Sequence, residues 1–440
     1  MNYTLYSIKK KKLTINNAKG IYLYSGKKII TDLTSGSTGH AILGWGNKKI
    51  INGIKNQAKK YCHIDYKTYI DPNREKLSKL LLSNKVNNLD KVFYVGSSGA
   101  EACEAAMKMS YQYFYSRGLK KKSIFISRNQ SYHGSTSDAM NLGDRPNLFF
   151  YKDILNNNIK KVSEHNKYRY QKFNETDEEY SRRSAMEIEN KIISIGPEKI
   201  CAFVGETIMG GLVGDVPPNI NYWKYVRKIC NKYNIHLILD EVWCGTGTSG
   251  KIFCIDWDNI TPDFLFISKT LAAGYGALSA VLTKSKISNQ IFRENKQIQY
   301  SNTHQGFSLS VAAALEVQKI INNKLFLSEV VNKGKFLRNT IEQELKKYEM
   351  FKNVRGRGLR NSFEYDTDDN IKFSYFLKKK LLDKNIAIDC KWHRVCLPLA
   401  LNISKKSLEK NLDIIIETFK KIHSNWPKLR KKIIKKEIFF

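Results

Sequence analysis

Short apolar runs of four or five residues recur along the middle of the chain, and stretches with helical spacing stand between them. The runs are 91–95, 123–127, 201–205, 236–239 and 264–267. Between them, Cys103, Ala106, Met107 and Phe114 line one face of a helix expected over 100–117. Ile188, Ile192 and Ile195 do the same further on, as do Tyr222, Val226, Ile229 and Tyr233. Strands that are apolar throughout and alternate with amphipathic helices predict an α/β unit, a mostly parallel sheet covered by helices. Ligands of such sheets bind at the carboxyl ends of the strands, so the residues just after each run are where function is expected.

The rest of the chain reads differently. Residues 154–191 are polar, with few strand signals, and are expected to form an insertion with at least one surface helix. Beyond Ser308 the pattern is helical to about Tyr348, followed by strand-like pieces around 355–363 and 395–397. This predicts a smaller α+β domain, joined by the N-terminal stretch through strands at 21–24 and 29–33. The expected divisions are an N-terminal segment 1–50, a large domain 51–308 and a small domain 309–440.

Composition enters here because 74 Lys and Arg against 41 Asp and Glu leave a formal net charge of +33. That invites a nucleic-acid or anionic-membrane partner. Yet the Lys residues are dispersed, apart from short runs at Lys9–Lys12, Lys120–Lys122, Lys378–Lys380 and the Lys428–Lys436 tail, which read as solvated faces. No apolar stretch follows the first Lys run as a secretory signal would require. None approaches the ~20 residues that span a bilayer. The eight cysteines form no C-x-x-C pair, which fits reduced thiols in a cytoplasmic protein. Cys390, His393 and Cys396 have ligand-like spacing but lack a fourth ligand, so a packed segment is favoured over zinc, and no metal is expected.

Four strand ends carry chemistry. Gly96-Ser97-Ser98-Gly99-Ala100-Glu101 opens a helix; it suits a phosphate, or is simply an S-x-x-E cap. Ser131-Tyr132-His133-Gly134 could lay an aromatic ring over a flat cofactor, or be a turn with a packed Tyr. Asp240, ending a buried run, needs a positive partner such as a protonated pyridine nitrogen, or else a salt bridge. Lys269, after another apolar run, is partly desolvated and suited to Schiff-base chemistry, unless it snorkels to water. Together, a phosphate cradle, a stacking aromatic, an acid and a Schiff-base Lys are what pyridoxal 5′-phosphate requires.

From about Asp32 to Leu399 the chain resembles the class III (ω-type) aminotransferases, fold type I enzymes that use this cofactor. Matching segments run in the family's order: 32–45, 96–108, Tyr132-His133-Gly134, 205–214, 237–250, 268–280, 302–314 and 355–359. The resemblance implies Lys269 as the Schiff-base residue and Asp240 on the pyridine nitrogen. It implies Val242 under the ring, Tyr132 stacked on the other face, His133 and Glu206 as further cofactor contacts, and Ser98, Gly99 and Ala100 at the phosphate. Thr303 would reach the phosphate of a neighbouring subunit in a homodimer. Glu206 would lie on the substrate side of the pocket, with Trp45 and with Arg394 as a basic residue for a substrate carboxylate.

The chain departs from the family at Glu206-Thr207, at Gly306-Phe307-Ser308, within Gly245–Gly250 and at Trp243, where some members carry a Gln. These touch the substrate pocket more than the cofactor site. The expected reaction is ping-pong transamination from an ω-amino acid, amine or aminosulfonate to pyruvate or 2-oxoglutarate. An aminomutase of the glutamate-1-semialdehyde type or a racemase would use the same Lys and Asp. A basic nucleic-acid-binding protein is the rival from another class.

Overall fold

The computed structural model describes residues 13–83 and 88–432, apart from the side chains of 146–149. Lys9–Lys12 and the end of the Lys428–Lys436 tail lie outside the described residues. The chain divides into two compact units, Lys48–Val330 and the pair of segments Met1–Asn47 and Val331–Phe440.

The larger unit is built on seven strands. They are β1 (Lys91–Tyr94), β2 (Ile124–Arg128), β3 (Ile159–Val162), β4 (Ile200–Glu206), β5 (His236–Asp240), β6 (Phe264–Ile267) and β7 (Ala280–Thr283). Their order across the sheet is β1-β7-β6-β5-β4-β2-β3. Strand β7 runs antiparallel to both neighbours, and every other pairing is parallel. The reason is the connections. Parallel neighbours need a crossover, and helices such as Tyr222–Lys232, between β4 and β5, supply it. Between β6 and β7 stands a loop with a single short helical turn, Lys269–Leu271, so the chain returns antiparallel.

Every residue of β4, β5 and β6 is buried, as their unbroken apolar runs require. The helix Gly99–Ser116, α1, lays Ala102, Cys103, Ala105, Ala106, Met109 and Phe114 against the sheet. The α/β architecture expected for this part is what the structure has.

Four features were not foreseen. Residues 159–162, inside the expected insertion, form the edge strand β3, parallel to β2. Its sequence, Ile-Lys-Lys-Val, hides the strand because two central lysines break the apolar run. The helix expected from the Ile188, Ile192 and Ile195 face begins earlier, at Asp177, and also buries Tyr180, Ser184 and Ala185. The helix Ser308–Ile321, expected with the smaller domain, lies in the larger unit and packs on Lys48–Ala58 and Pro72–Leu81. Within the Lys120–Lys122 run, Lys122 is buried. Its ammonium donates to the carbonyls of Pro197 (3.1 Å) and Ile200 (3.0 Å) and so ties the chain ahead of β2 to that ahead of β4.

The smaller unit holds two four-stranded sheets. One joins Asn17–Lys19, Tyr22–Ser25 and Lys28–Asp32 to the short strand Ile386–Ala387. The other is antiparallel, in the order Phe351–Arg357, Arg360–Tyr365, Arg394–Pro398, Asp389–Lys391. Helices Asn370–Asp383 and Lys405–Leu429 pack together in the same unit. Here His393 Nε2 meets Glu364 Oε1 at 2.9 Å, and the Cys390 thiol lies 3.3 Å from the Tyr365 hydroxyl. The Cys390, His393, Cys396 spacing is thus used in packing. The described residues contain no cluster of three His, Cys, Asp or Glu side chains that could hold a metal, and no helix long and apolar enough to cross a membrane.

Candidate active site

The carboxyl ends of β1, β2, β4, β5 and β6 lie along one edge of the sheet, because these strands share a direction. After β1 the chain turns through Gly96-Ser97-Ser98 into α1. Ser98 caps that helix: its Oγ accepts from Glu101 N at 3.3 Å. Glu101 Oε2 in return accepts from the amides of Ser97 (2.8 Å) and Ser98 (2.9 Å). The capping box is therefore real. It leaves the next two amides, Gly99 and Ala100, without an acceptor among the described residues. Two open N–H groups at the positive end of an 18-residue helix form a cradle for an anion.

The strand ends are packed tightly around this cradle. A Cβ on Gly99 would come within 2.7 Å of the Val242 side chain, and one on Gly134 within 2.4 Å of Ala100 Cβ. Gly134 also has φ +147°, which a side chain would oppose. So Val242, after β5, and the Tyr132-His133-Gly134 turn, after β2, both close on the start of α1.

Asp240, the last residue of β5, is buried. Its Oδ1 accepts from the Val242 amide and its Oδ2 lies 2.8 Å from His133 Nδ1. A carboxylate has about four lone-pair sites, so two remain for a further donor such as a pyridinium N–H. The buried Nε2 of His133 has no partner among the described residues. Glu206 ends β4 and is paired in register with Asp240. Its carboxyl accepts from the amides of Gly210 (3.2 Å) and Tyr132 (3.4 Å). Burial pushes this carboxyl up to about 7; His133 and Arg128 oppose the rise and Asp240 adds to it.

Lys269 follows β6, and Asp240 and Phe266 are paired across β5 and β6. Its backbone has φ +35°, a sterically costly conformation for a residue with a side chain. The turn is held by Leu271 N on Ser268 O at 2.7 Å, by Ser268 Oγ on Leu278 O at 3.0 Å, and by a hydroxyl contact between Thr270 and Thr246. Strain over-determined in this way is typical of a side chain that must be aimed. The Lys269 ammonium lies 5.1 Å from the ring centroid of Trp243, whose indole N–H donates to buried Asp215 at 2.6 Å.

The structure therefore gathers Ser98, Gly99, Ala100, Tyr132, His133, Glu206, Asp240, Val242 and Lys269 along one edge of one sheet. Thr303 comes from a later loop of the same unit. It lies on an open groove of about 650 Å³ with Gly96, Ser97, Glu101 and His304, and its carbonyl is 2.9 Å from His63 Nε2. Trp45 and Arg394 belong to the smaller unit. The Trp45 backbone pairs with Gly20, and its ring meets His40 edge-on. Arg394 is buried, its guanidinium 4.7 Å from the Trp392 ring.

Two side chains at these strand ends went unremarked in the sequence. Arg128, the last residue of β2, is buried over the Trp223 ring and donates to the Glu206 carbonyl. Asp215 orients Trp243. Arg128 had a signal, a cation closing an apolar run. Asp215 had none, because its contact is made through a loop.

Comparison with known proteins identifies the family. The family model described as aminotransferase class-III matches residues 6–419. An aminotransferase of Gibberella zeae is 33% identical over 84% of this chain and 73% of its own length. An adenosylmethionine-8-amino-7-oxononanoate aminotransferase of Methanocaldococcus jannaschii is 32% identical over 93% of each chain. Among solved structures, the omega transaminase of Pseudomonas jessenii in complex with PMP superposes with a TM-score of 0.90. It is 25% identical and covers 96% of this chain and 97% of that one. With a match of this extent over both units, the chain belongs to the class III aminotransferase family, and its enzymatic activity is amino transfer.

Proposed function

We propose that this aminotransferase binds pyridoxal 5′-phosphate along the strand ends just described. It moves an amino group from an ω-amino acid, amine or aminosulfonate to a keto acid, pyruvate or 2-oxoglutarate, by a ping-pong mechanism. One observation carries the reading: Asp240 and Lys269 follow neighbouring strands on the edge where Gly99 and Ala100 hold two amides open. When bound, the cofactor supplies an aldehyde for Schiff-base formation and a ring that withdraws electrons.

This chain's residues do the rest. Gly99, Ala100 and Ser98 take the phosphate. Asp240, braced by His133, accepts the hydrogen bond of the protonated ring nitrogen and keeps the proton there. Val242 packs on one ring face and Tyr132 on the other. Lys269 Nζ would hold the cofactor covalently, and its free amine would accept the donor's α-proton and return it. Glu206, held protonated to near neutrality, presents a neutral acid on the substrate side. Trp45 and Arg394 are assigned to the same substrate side, Arg394 toward a carboxylate.

The ω-type donor is supported by the relatives' names. One is a gamma aminobutyrate transaminase of Solanum lycopersicum, 33% identical over 80% of this chain. The proposal includes a cytoplasmic homodimer in which Thr303 serves the partner's phosphate. Sedimentation should then give a dimer that Thr303→Ala leaves intact while cofactor affinity falls.

The direct test is a donor panel with purified, cofactor-loaded enzyme. Conversion of a donor should require pyruvate or 2-oxoglutarate in stoichiometric amount. Conversion that needs no acceptor would contradict transamination.

A further inference from the structure

The turn that carries Thr303 is fixed from three sides, and one of its anchors has no assigned task. On the first side, Gln305 Nε2 donates to the carbonyl of Tyr94, which ends β1, at 2.9 Å, and Gly306 N donates to Val95 O at 3.2 Å. Buried Arg74 holds the second side: its Nε donates to Gly306 O at 3.0 Å and its Nη2 to Ile64 O at 2.8 Å. The third anchor is His63, the neighbour of Ile64, whose Nε2 lies 2.9 Å from Thr303 O. A carbonyl only accepts, so Nε2 is the ring nitrogen that carries the proton.

The imidazole is set in place by other rings. Its centroid is 5.2 Å from that of Phe307 and 5.9 Å from that of His304, and those two rings meet edge-on at 5.6 Å. His63 Nδ1 is buried and has no partner among the described residues. The Thr303 carbonyl is therefore the hydrogen bond that ties this side chain to the fold. Its geometry is shared between the ring cluster and one peptide group.

The anchors leave one end of Thr303 open. Thr303 is exposed, and it lines the groove that also holds Gly96, Ser97 and Glu101 at the entry to α1. Its carbonyl is committed to His63, while nothing among the described residues engages its amide or its hydroxyl. Two donors on a turn that is already rigid lose little freedom when an anion arrives.

We propose that His63 is a positioning residue for the cofactor phosphate: by fixing the Thr303 carbonyl, it presents the Thr303 amide and hydroxyl to the phosphate held in the partner subunit. The inference rests on the role given to Thr303 above. His63 itself touches neither phosphate nor substrate and acts through a single peptide group.

The test titrates apoenzyme with pyridoxal 5′-phosphate and, in parallel, with pyridoxal, which lacks the phosphate. Wild type, His63→Ala, His63→Gln, Thr303→Ala and the His63→Ala, Thr303→Ala double variant are compared. His63→Ala should weaken pyridoxal 5′-phosphate by about threefold to tenfold, the scale of one lost hydrogen bond, and leave pyridoxal within about twofold. His63→Gln, which keeps an N–H donor on a side chain of similar reach, should recover most of the loss. In the Thr303→Ala background, His63→Ala should cost less than it does alone, because the two act on one contact. Sedimentation should find every variant dimeric.

Equal losses for the two ligands would show a general disturbance of the turn and overturn the proposal. Loss of the dimer in His63→Ala would assign the bond to assembly and overturn it as well. If Thr303→Ala weakened pyridoxal 5′-phosphate and His63→Ala did not, the role of Thr303 would stand and this inference alone would fall. If neither variant weakened it, both would fall.

Discussion

Two buried glutamates, one in each unit, show how a structural carboxylate differs from one at a site. Glu364 ends in a closed set of partners. Its carboxylate takes Arg355 Nη1 at 2.8 Å, His393 Nε2 at 2.9 Å and Asn353 Nδ2 at 3.0 Å. Burial alone would raise its pKa, but hydrogen bonds from His393 and Arg355 pull it far below the ordinary carboxylate range. Among the described residues Glu206 receives two long amide bonds, and it faces a second carboxylate, Asp240, across the sheet. Burial there wins and lifts it to about 7. One group is satisfied and held charged, and the other is under-satisfied and poised to change charge. Groups of the second kind cluster where chemistry is done.

The largest effect that separates the two regions is on turnover. Lys269→Ala should lower amino transfer by at least about 10³-fold, the scale seen when a residue acting at the reacting atoms is removed. Urea unfolding should change little, because the Lys269 backbone is already strained. Asp240→Asn keeps the shape but not the charge, and should cost roughly 10²- to 10⁴-fold in kcat. Retention of full rate in either variant would remove the site from this edge of the sheet.

The opposite pattern is expected at Glu364. Arg355→Met leaves a buried carboxylate without its guanidinium and should destabilise the chain by about 3–5 kcal/mol in urea unfolding. The double change Arg355→Met with Glu364→Gln should recover much of that. A single variant as stable as wild type would show that the pair contributes little.

The most delicate effect is the direction of pH dependence. Glu206 is raised in the folded state above its ordinary 4.5. It therefore contributes stability that is full below pH 4.5 and lost as pH rises through about 7. Glu364 is lowered from the same ordinary value, so its contribution is present above pH 4.5 and lost as pH falls through its lower folded value. Glu206→Gln should flatten the decline in unfolding free energy between pH 4.5 and 7, and Glu364→Gln should flatten only the acid side. Identical slopes in the two variants would erase the distinction.

How much of this was legible in the sequence follows from where each interaction closes. Asp240 and Lys269 could be read because each stands within two residues of the end of an unbroken apolar run, and a parallel sheet puts strand ends on one edge. The open amides of Gly99 and Ala100 could be read because the S-x-x-E cap that precedes them marks the start of the helix. The edge strand Ile159–Val162 could not, since its two Lys residues mask the pattern. Nor could the Asp215 to Trp243 bond or the Arg145 stack on Tyr132, which join separate loops by distance in space. The net charge of +33 pointed toward a polyanion. Family membership replaces that reading with amino transfer, and supports transamination over the mutase and racemase alternatives.

The measurement closest to the central claim is the position of a covalent label. Purified enzyme incubated with pyridoxal 5′-phosphate, reduced with borohydride and digested should carry the pyridoxyl group on Lys269. Lys269→Ala should lose both the label and the visible absorption of the loaded protein. A label on another of the many lysines, or none at all, would contradict the account.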